Sequence, residues 1–194
     1  MRLLIFLALI FSSNQSFGNC ERASDISRVV VAGGSLTEII YYLEANENLV
    51  ARDVTSNYPP KARALPSIGY VRNLSIEGLL SLMPTLILGE PDAGPPTVLD
   101  QLSNISVDFR IVPETHDMKG IIDKTTCVAK ILGVKDELLN LKIRELRSDI
   151  EELKKTKILD KKKKKILLIL MMRGTSPIIA GSNTAGDGFI KMTG

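Results

Sequence analysis

The feature that most constrains the fold is an alternation of short apolar runs with glycine turns and helical segments. Residues 28–32 form a β-branched run that ends at Gly33 and Gly34, and a helical pattern follows at once. Similar runs recur at residues 49–54, 85–88 and 107–112, with helical segments at 75–82 and 97–102. This alternation predicts a parallel sheet covered by helices on both faces.

Local signals predict where the first helices begin. Ser35 and Glu38 match a capping box, with Ser35 as the N-cap and Glu38 reaching back to its amide. Ser75-Ile76-Glu77 caps another helix, and we expect a loop from residue 58 to about residue 74.

The later part of the chain predicts a long helical region and then a second α/β unit. Residues 118–159 are helical in pattern, with a break at Gly133, and the apolar side chains from Leu139 to Leu153 recur at spacings of four and three that form one stripe. A buried strand at 166–172, a loop at 173–181 and a helix at 185–192 follow. One strand cannot form a sheet alone, so we expect this unit to be truncated.

The first residues indicate export. Met1-Arg2 carries one side-chain charge, residues 3–11 are apolar and residues 12–18 are small and polar, which is typical of a secretory signal peptide with the mature chain beginning near Asn19. The apolar run is too short for a membrane span. An uncleaved anchor is one alternative. Lipidation at Cys20 is another, although Asn19 stands where a lipid-attachment signal has a small residue.

Composition excludes several classes of function. The chain has 25 Lys and Arg against 22 Asp and Glu, and the lysine run at 161–165 accounts for its net charge of +3. Such a run is typical of a solvated loop, and basic residues are not interleaved with aromatic ones, so no nucleic-acid partner is expected. A single histidine, His116, excludes the common zinc sites. No catalytic constellation appears, so we do not expect an enzyme.

The two cysteines leave two interpretations open. An oxidising compartment permits a Cys20–Cys127 disulfide. Cys127 also lies on an apolar helix face, where a buried free thiol is equally compatible with the pattern.

Tyr70 is the candidate with the clearest chemistry. A phenolate oxygen suits ferric iron, and tyrosine is a known haem ligand. Arg72 lies two residues further on, where its charge favours the phenolate or its fork pairs with a propionate. The alternative is an ordinary loop tyrosine beside a solvated arginine. Tyr41 and Tyr42 are expected to pack on their helix, and Tyr58 is expected to line a cleft.

Several motifs together resemble one class of transport protein. They are Val31-Ala32-Gly33-Gly34-Ser35-Leu36-Thr37-Glu38, Ser56-Asn57-Tyr58-Pro59, Gly69-Tyr70-Val71-Arg72-Asn73-Leu74-Ser75, Asp92-Ala93-Gly94-Pro95-Pro96 and Ile179-Ala180-Gly181. From about Arg28 to its end the chain resembles the periplasmic binding proteins of siderophore, cobalamin and haem importers, and these motifs resemble the haem branch.

The resemblance implies an α/β, two-lobed periplasmic binding protein whose parallel-sheet lobes are joined by a helical connector, with the second lobe incomplete. The implied division is a signal peptide at 1–18, an N-terminal lobe at 19–116, a connector at 117–160 and the start of a second lobe at 161–194.

The resemblance also implies a site and partners. Tyr70 would be the axial ligand of the haem iron, and Arg72 would assist it. Met172 would be a weak thioether ligand and Arg173 a propionate partner, with Tyr58 lining the cleft. Glu77 would dock on the permease. Haem is then the transported ligand, and an ABC permease, its ATPase and an outer-membrane haem receptor system are the partners.

Four alternatives stay open at this point. The cargo is a corrinoid or a ferric siderophore instead of haem, the protein is an exported enzyme, it is a metal-binding chaperone, or the chain is a fragment that binds nothing well. His116, at the entry to the connector, is a further though weaker candidate for haem ligation.

Overall fold

The computed structural model describes residues 20–155 and 165–193. The predicted signal peptide and most of the lysine run therefore lie outside the described residues. The elements follow in the order β1 (Val29–Ala32), α1 (Gly34–Tyr42), β2 (Leu49–Arg52), a 3₁₀ turn (Pro60–Ala64), β3 (Gly69–Tyr70), β4 (Asn73–Leu74), α2 (Ile76–Leu80), β5 (Leu86–Gly89), α3 (Pro96–Ser103), β6 (Asp108–Ile111), α4 (Met118–Ile131), α5 (Asp136–Lys155), β7 (Ile169–Arg173), β8 (Ser176–Ile179) and α6 (Ala185–Thr193).

The main sheet has four parallel strands in the order β2-β1-β5-β6, which confirms the predicted parallel α/β architecture. The central strands β1 and β5 are buried along their whole length. Alternate residues face two separate cores, because successive side chains of a strand point to opposite faces. Val29 and Val31 pack with α1 and α4, whereas Val30 and Ala32 pack with α2 and α3.

A disulfide between Cys20 and Cys127 joins the beginning of the described chain to α4. The amide of Ala23 also donates to the carbonyl of Ile131, at 2.9 Å. Of the two interpretations of the cysteines, the bridge is the one that the structure contains.

The helical region divides as its sequence predicts. α4 and α5 are separated at Gly133, which has a φ of +65°, a conformation that glycine adopts without strain. α5 is tied to α1 by Tyr42, whose hydroxyl donates to the carbonyl of Lys142 at 2.8 Å. The predicted extension of the helix beyond Lys155 falls outside the described residues.

The predicted capping box at Ser35 is wrong. α1 begins two residues earlier than a Ser35 N-cap implies, with Gly33 as its N-cap and no side-chain capping bond. The Ser35 hydroxyl donates instead to Glu90, at 2.5 Å. Ser75 does cap α2 as predicted, since its hydroxyl accepts from the amide of Gly78 at 3.1 Å.

The prediction for residues 166–181 is also corrected. β7 and β8 form an antiparallel hairpin, so the expected loop contains a strand. Both strands are exposed, whereas β7 was expected to be buried. α6 follows as predicted and packs closely on the segment after β6, because a Cβ at Gly188 would lie 2.1 Å from the carbonyl oxygen of His116.

No helix in residues 20–155 or 165–193 is long and apolar enough to cross a membrane.

Candidate functional site

The loops that follow the four parallel strands meet at one edge of the sheet. They comprise residues 33–34 after β1, 53–58 after β2, 90–95 after β5 and 112–117 after β6. In open α/β sheets this carboxyl edge is where ligands bind. The candidate site is therefore built from these loops.

A buried polar cluster fixes the loop after β2. Asp53, Ser56 and Thr37 are fully buried. The Asp53 carboxylate accepts from the Ser56 hydroxyl at 2.6 Å and from the amide of Gly33 at 3.2 Å. The hydroxyls of Thr37 and Ser56 are 2.7 Å apart. Because these buried groups satisfy one another, the loop that carries Tyr58 is held firmly against α1.

Tyr70 lies on a two-stranded hairpin beside this loop. The segment expected to be a loop contains β3 and β4, in which Tyr70 pairs with Asn73 and Gly69 with Leu74. Val71 and Leu74 anchor the hairpin in the core. The amide of Val54 donates to the carbonyl of Gly69 at 2.8 Å, which joins the hairpin to the loop after β2.

This corner of the molecule exposes apolar and aromatic side chains. Val54, Tyr58 and Tyr70 have exposed fractions of 45%, 64% and 45%. Single exposed apolar residues are ordinary on protein surfaces. Here Val54 and Tyr58 belong to one loop, and that loop is bonded directly to the strand that carries Tyr70.

Arg72 lies in the turn of the hairpin and is held by Asp92. Its Nε and Nη2 donate to the same carboxylate oxygen of Asp92, at 2.8 and 2.7 Å. The hydrogen bond and the charge of Asp92 raise the pKa of the Arg72 guanidinium above its ordinary value, and the nearby Tyr70 contributes in the same direction. The three side chains therefore interact electrostatically at this edge of the sheet.

A second polar cluster, which the sequence analysis missed, lies beneath the loops. The Lys124 side chain is only 5% exposed. Its ammonium group donates to Ser35 at 2.5 Å, to Glu114 at 3.0 Å and to Glu90 at 3.1 Å. Lys124 thus joins α4 to the start of α1 and to the loops after β5 and β6.

A cavity of about 410 Å³ opens between these loops and the N-terminal end of α6. Arg72, Glu90, Asp92, Glu114 and His116 line one side of it, and residues 183–185 line the other. Nδ1 of His116 lies 3.5 Å from Oε1 of Glu114. Within the described residues, no three His, Cys, Asp or Glu side chains are arranged to hold a metal ion.

Tyr58, which was expected to line a cleft, and Tyr70 are not among the residues that line this cavity, and neither are Met172 and Arg173. Met172 and Arg173 are neighbours on the exposed strand β7. Successive side chains of a strand point to opposite faces, so these two side chains face in opposite directions. At most one of them can face the side on which Tyr70 lies.

Glu77 is exposed in the first turn of α2, as expected. Its carboxylate accepts from the Ser75 hydroxyl at 2.8 Å. Hydrogen bonds from its own amide and from Ser75 lower the pKa of Glu77 below its ordinary value. Glu77 therefore presents a negative charge to solvent at neutral pH.

The sequence contained a usable signal for the missed cluster. Gly120, Lys124, Cys127, Val128 and Ile131 form the buried stripe of α4. A lysine inside an apolar stripe indicates a buried charge that needs partners. Nothing in the sequence pattern indicated Glu90 or Glu114 as those partners, since both lie in loops whose position relative to α4 depends on how the sheet folds.

Comparisons with known proteins agree with this architecture. A profile of the family described as periplasmic binding protein matches residues 29–194. The solved structure of the periplasmic heme-binding protein BhuT in complex with two hemes is 36% identical, with a TM-score of 0.77 over 85% of this chain. The periplasmic vitamin B12 binding protein BtuF of Vibrio cholerae is 25% identical, with a TM-score of 0.57 over 66% of this chain and 50% of its own.

Curated relatives include a vitamin B12-binding protein of Photorhabdus laumondii, which is 31% identical over 107 residues, or 55% of this chain. The chain spans 36% of the length of that relative and 64% of the length of the BhuT chain.

Proposed function

The chain belongs to the periplasmic binding protein family, and we propose that within this family it captures haem and delivers it to the permease of an ABC importer. The family is one of substrate-binding proteins, not of enzymes. Its structural neighbours include haem binders and a vitamin B12 binder. The proposal therefore concerns the cargo, the residues that hold it and the partners.

The observation that carries the haem proposal is the environment of Tyr70. Tyr70 is 45% exposed and lies on a hairpin that buried residues and backbone bonds hold in place. Arg72 lies beside it, held by Asp92. A phenol that solvent reaches, next to a fixed positive charge, suits a ferric iron that binds the phenolate form.

The exposed side chains around Tyr70 also suit a porphyrin. In our proposal Val54 and Tyr58 contact the flat face of the macrocycle, and Arg72 directs its free N–H groups at a propionate. The second axial ligand and a further propionate contact would come from the segment after residue 165, where Met172 and Arg173 are the candidates. Their opposite orientations allow one of these roles, not both.

Haem titration of the purified protein tests the proposal. Tyr70→Phe removes only the hydroxyl, so we expect the spectrum of a phenolate-ligated ferric haem to be lost and the affinity to fall at least tenfold. Tyr41→Phe is the matched control, because Tyr41 is partly buried against the core and should not affect the spectrum. An unchanged spectrum in Tyr70→Phe would refute the assignment, and Tyr58→Phe would then identify or exclude the other exposed phenol.

A corrinoid is the second candidate cargo, since curated relatives are vitamin B12-binding proteins. The same titration with cyanocobalamin separates the two. The haem proposal requires that cobalamin neither binds with comparable affinity nor displaces haem. The opposite result would assign the chain to corrinoid transport.

For delivery, we propose that Glu77 docks on an arginine of the permease. The lowered pKa keeps its carboxylate charged. Glu77→Lys should leave haem binding unchanged and abolish haem-dependent growth of cells that rely on this importer. Glu152→Lys makes the same change of charge on exposed α5 and should not affect growth. Equal growth of both variants would contradict the docking role.

A further inference from the structure

We propose that Asp92 is a positioning residue, which holds the Arg72 guanidinium beside Tyr70 in the orientation that the ligand requires. This inference rests on the proposed function and adds a residue to its site. Neither Asp92 nor its loop contacts the iron in our proposal, so Asp92 acts through Arg72.

The hydrogen-bond geometry shows which way the guanidinium is turned. Asp92 Oδ2 accepts from both Nε and Nη2 of Arg72, at 2.8 and 2.7 Å. A guanidinium has five N–H donors in a rigid plane, and these two bonds occupy one edge of it. Both N–H groups of Nη1 and the second one of Nη2 have no acceptor in residues 20–155 and 165–193. Asp92 therefore leaves the outer edge of the plane free for a phenolate or a carboxylate.

Asp92 can hold this orientation because its own loop is fixed. The amide of Ala93 donates to the carbonyl of Glu90 at 2.9 Å, which closes a turn around Asp92. Gly94 donates to the carbonyl of Val71 at 2.9 Å and accepts from the amide of Leu74 at 2.8 Å. These two bonds reach the hairpin on either side of Arg72, so the carboxylate and the guanidinium belong to one connected backbone unit.

Positioning matters more here than the strength of the ion pair. The side chains of Arg72 and Asp92 are 62% and 43% exposed, and ion pairs exposed to this degree add little to folding stability. An unrestrained arginine side chain, however, loses rotamer freedom when a ligand orders it. A carboxylate that orders Arg72 beforehand removes this loss from binding, and we expect the gain to be about tenfold in affinity.

A double-mutant cycle on haem affinity tests the proposal. Asp92→Ala and Arg72→Met should each weaken haem binding about tenfold, and the double variant should be no weaker than either single one. Asp92→Asn keeps an oxygen that accepts the same two hydrogen bonds. Its affinity for haem should therefore lie within about threefold of that of the wild type. Asp100→Ala removes another exposed carboxylate and should have no effect.

Two results would overturn the positioning role. One is additivity, in which Asp92→Ala costs the same affinity with and without Arg72. The other is a loss of affinity accompanied by a lower unfolding temperature, which would show that Asp92 supports the loop instead of Arg72.

A measurement without ligand separates this inference from the proposed function. Nuclear magnetic resonance should detect slow solvent exchange of the Arg72 Nε proton in the wild type and fast exchange in Asp92→Ala. If the wild type binds no haem but its Arg72 Nε proton still exchanges more slowly than that of Asp92→Ala, the proposed function fails and the positioning of Arg72 stands. If haem binds and the proton exchanges equally fast in both proteins, the positioning role fails alone.

Discussion

Replacement of Lys124 by methionine should destabilise the protein more than the same replacement at any other lysine of α4. The ammonium group has three donors, and Ser35, Glu90 and Glu114 accept all of them within 3.1 Å. Lys124→Met keeps the apolar stem of the side chain and removes only its charge and its donors.

The magnitude follows from the two carboxylates that would remain. Breaking a buried ion pair by removing one partner costs about 3–5 kcal/mol, because the other charge is left uncompensated. The side chains of Glu90 and Glu114 are 16% and 24% exposed, so water reaches them in part. We therefore expect a loss at the lower end of that range, about 3 kcal/mol in the free energy of unfolding.

Urea denaturation followed by circular dichroism measures this loss. Lys119→Met on the same helix is the control, because its pair with Asp123 is exposed to solvent and should contribute little to stability. The double variant Lys124→Met/Glu114→Gln should be more stable than Lys124→Met alone, since it removes one of the two unpaired carboxylates. If Lys124→Met costs no more than Lys119→Met, the buried network does not stabilise the fold and the reasoning is wrong.

Two further predictions concern the ties between the helices and the rest of the chain. Burial, with the hydrogen bond to Glu145, raises the pKa of Tyr42 to about 12, so its contribution to stability should be complete below pH 10 and be lost as the pH rises towards 12. An absorbance titration should show one of the four tyrosines ionising last, and Tyr42→Phe should remove that step. The Cys20–Cys127 bridge closes a sequence separation of 107 residues, so its reduction should cost about 4–5 kcal/mol of stability. Reductant should have no effect on the Cys20→Ser/Cys127→Ser variant, and a stable reduced wild type would contradict the estimate.

Local sequence signals predicted the elements whose cause is local. The β-branched run of β1 and the apolar run of β5 lie in the middle of the sheet, where both faces are buried. Ser75 caps α2, and Gly133 ends the turn after α4, because each signal acts within a few residues of its own position.

Signals that depend on distant partners were misread. Ser35 has the spacing of a capping box, but its hydroxyl bonds to Glu90, which lies 55 residues further on. β8 was not predicted, since residues 173–181 were expected to form a loop, and Pro177 within them is a residue that strand interiors disfavour. The two-residue turn at Gly174 and Thr175, with Gly174 at a φ of +63°, was the signal that predicts this hairpin.

The same distinction between local and distant signals applies to the candidate site. The proximity of Arg72 to Tyr70 could be predicted from their close spacing along the chain. The contact of Asp92 with Arg72 could not, because it depends on how the loop after β5 folds against a hairpin that the sequence did not indicate. Asp92 precedes Gly94, whose backbone bonds to that hairpin become visible only in the folded chain.

The loop from Glu90 to Gly94 connects the Lys124 cluster to the hairpin that carries Arg72. The bonds at the two ends of this loop predict how strongly the loss of Lys124 affects the Arg72–Asp92 pair. Glu90 is bonded to Lys124 and Ser35 at the start of the loop, whereas Gly94 is bonded to the hairpin at its end. Loss of Lys124 weakens the first anchor, where Glu90 keeps its bond to Ser35, and leaves the second, which is the one nearer to Arg72. The fold should therefore depend on Lys124 more strongly than the Tyr70 site does, and Lys124→Met should keep the geometry of the Arg72–Asp92 pair under conditions in which the variant is still folded.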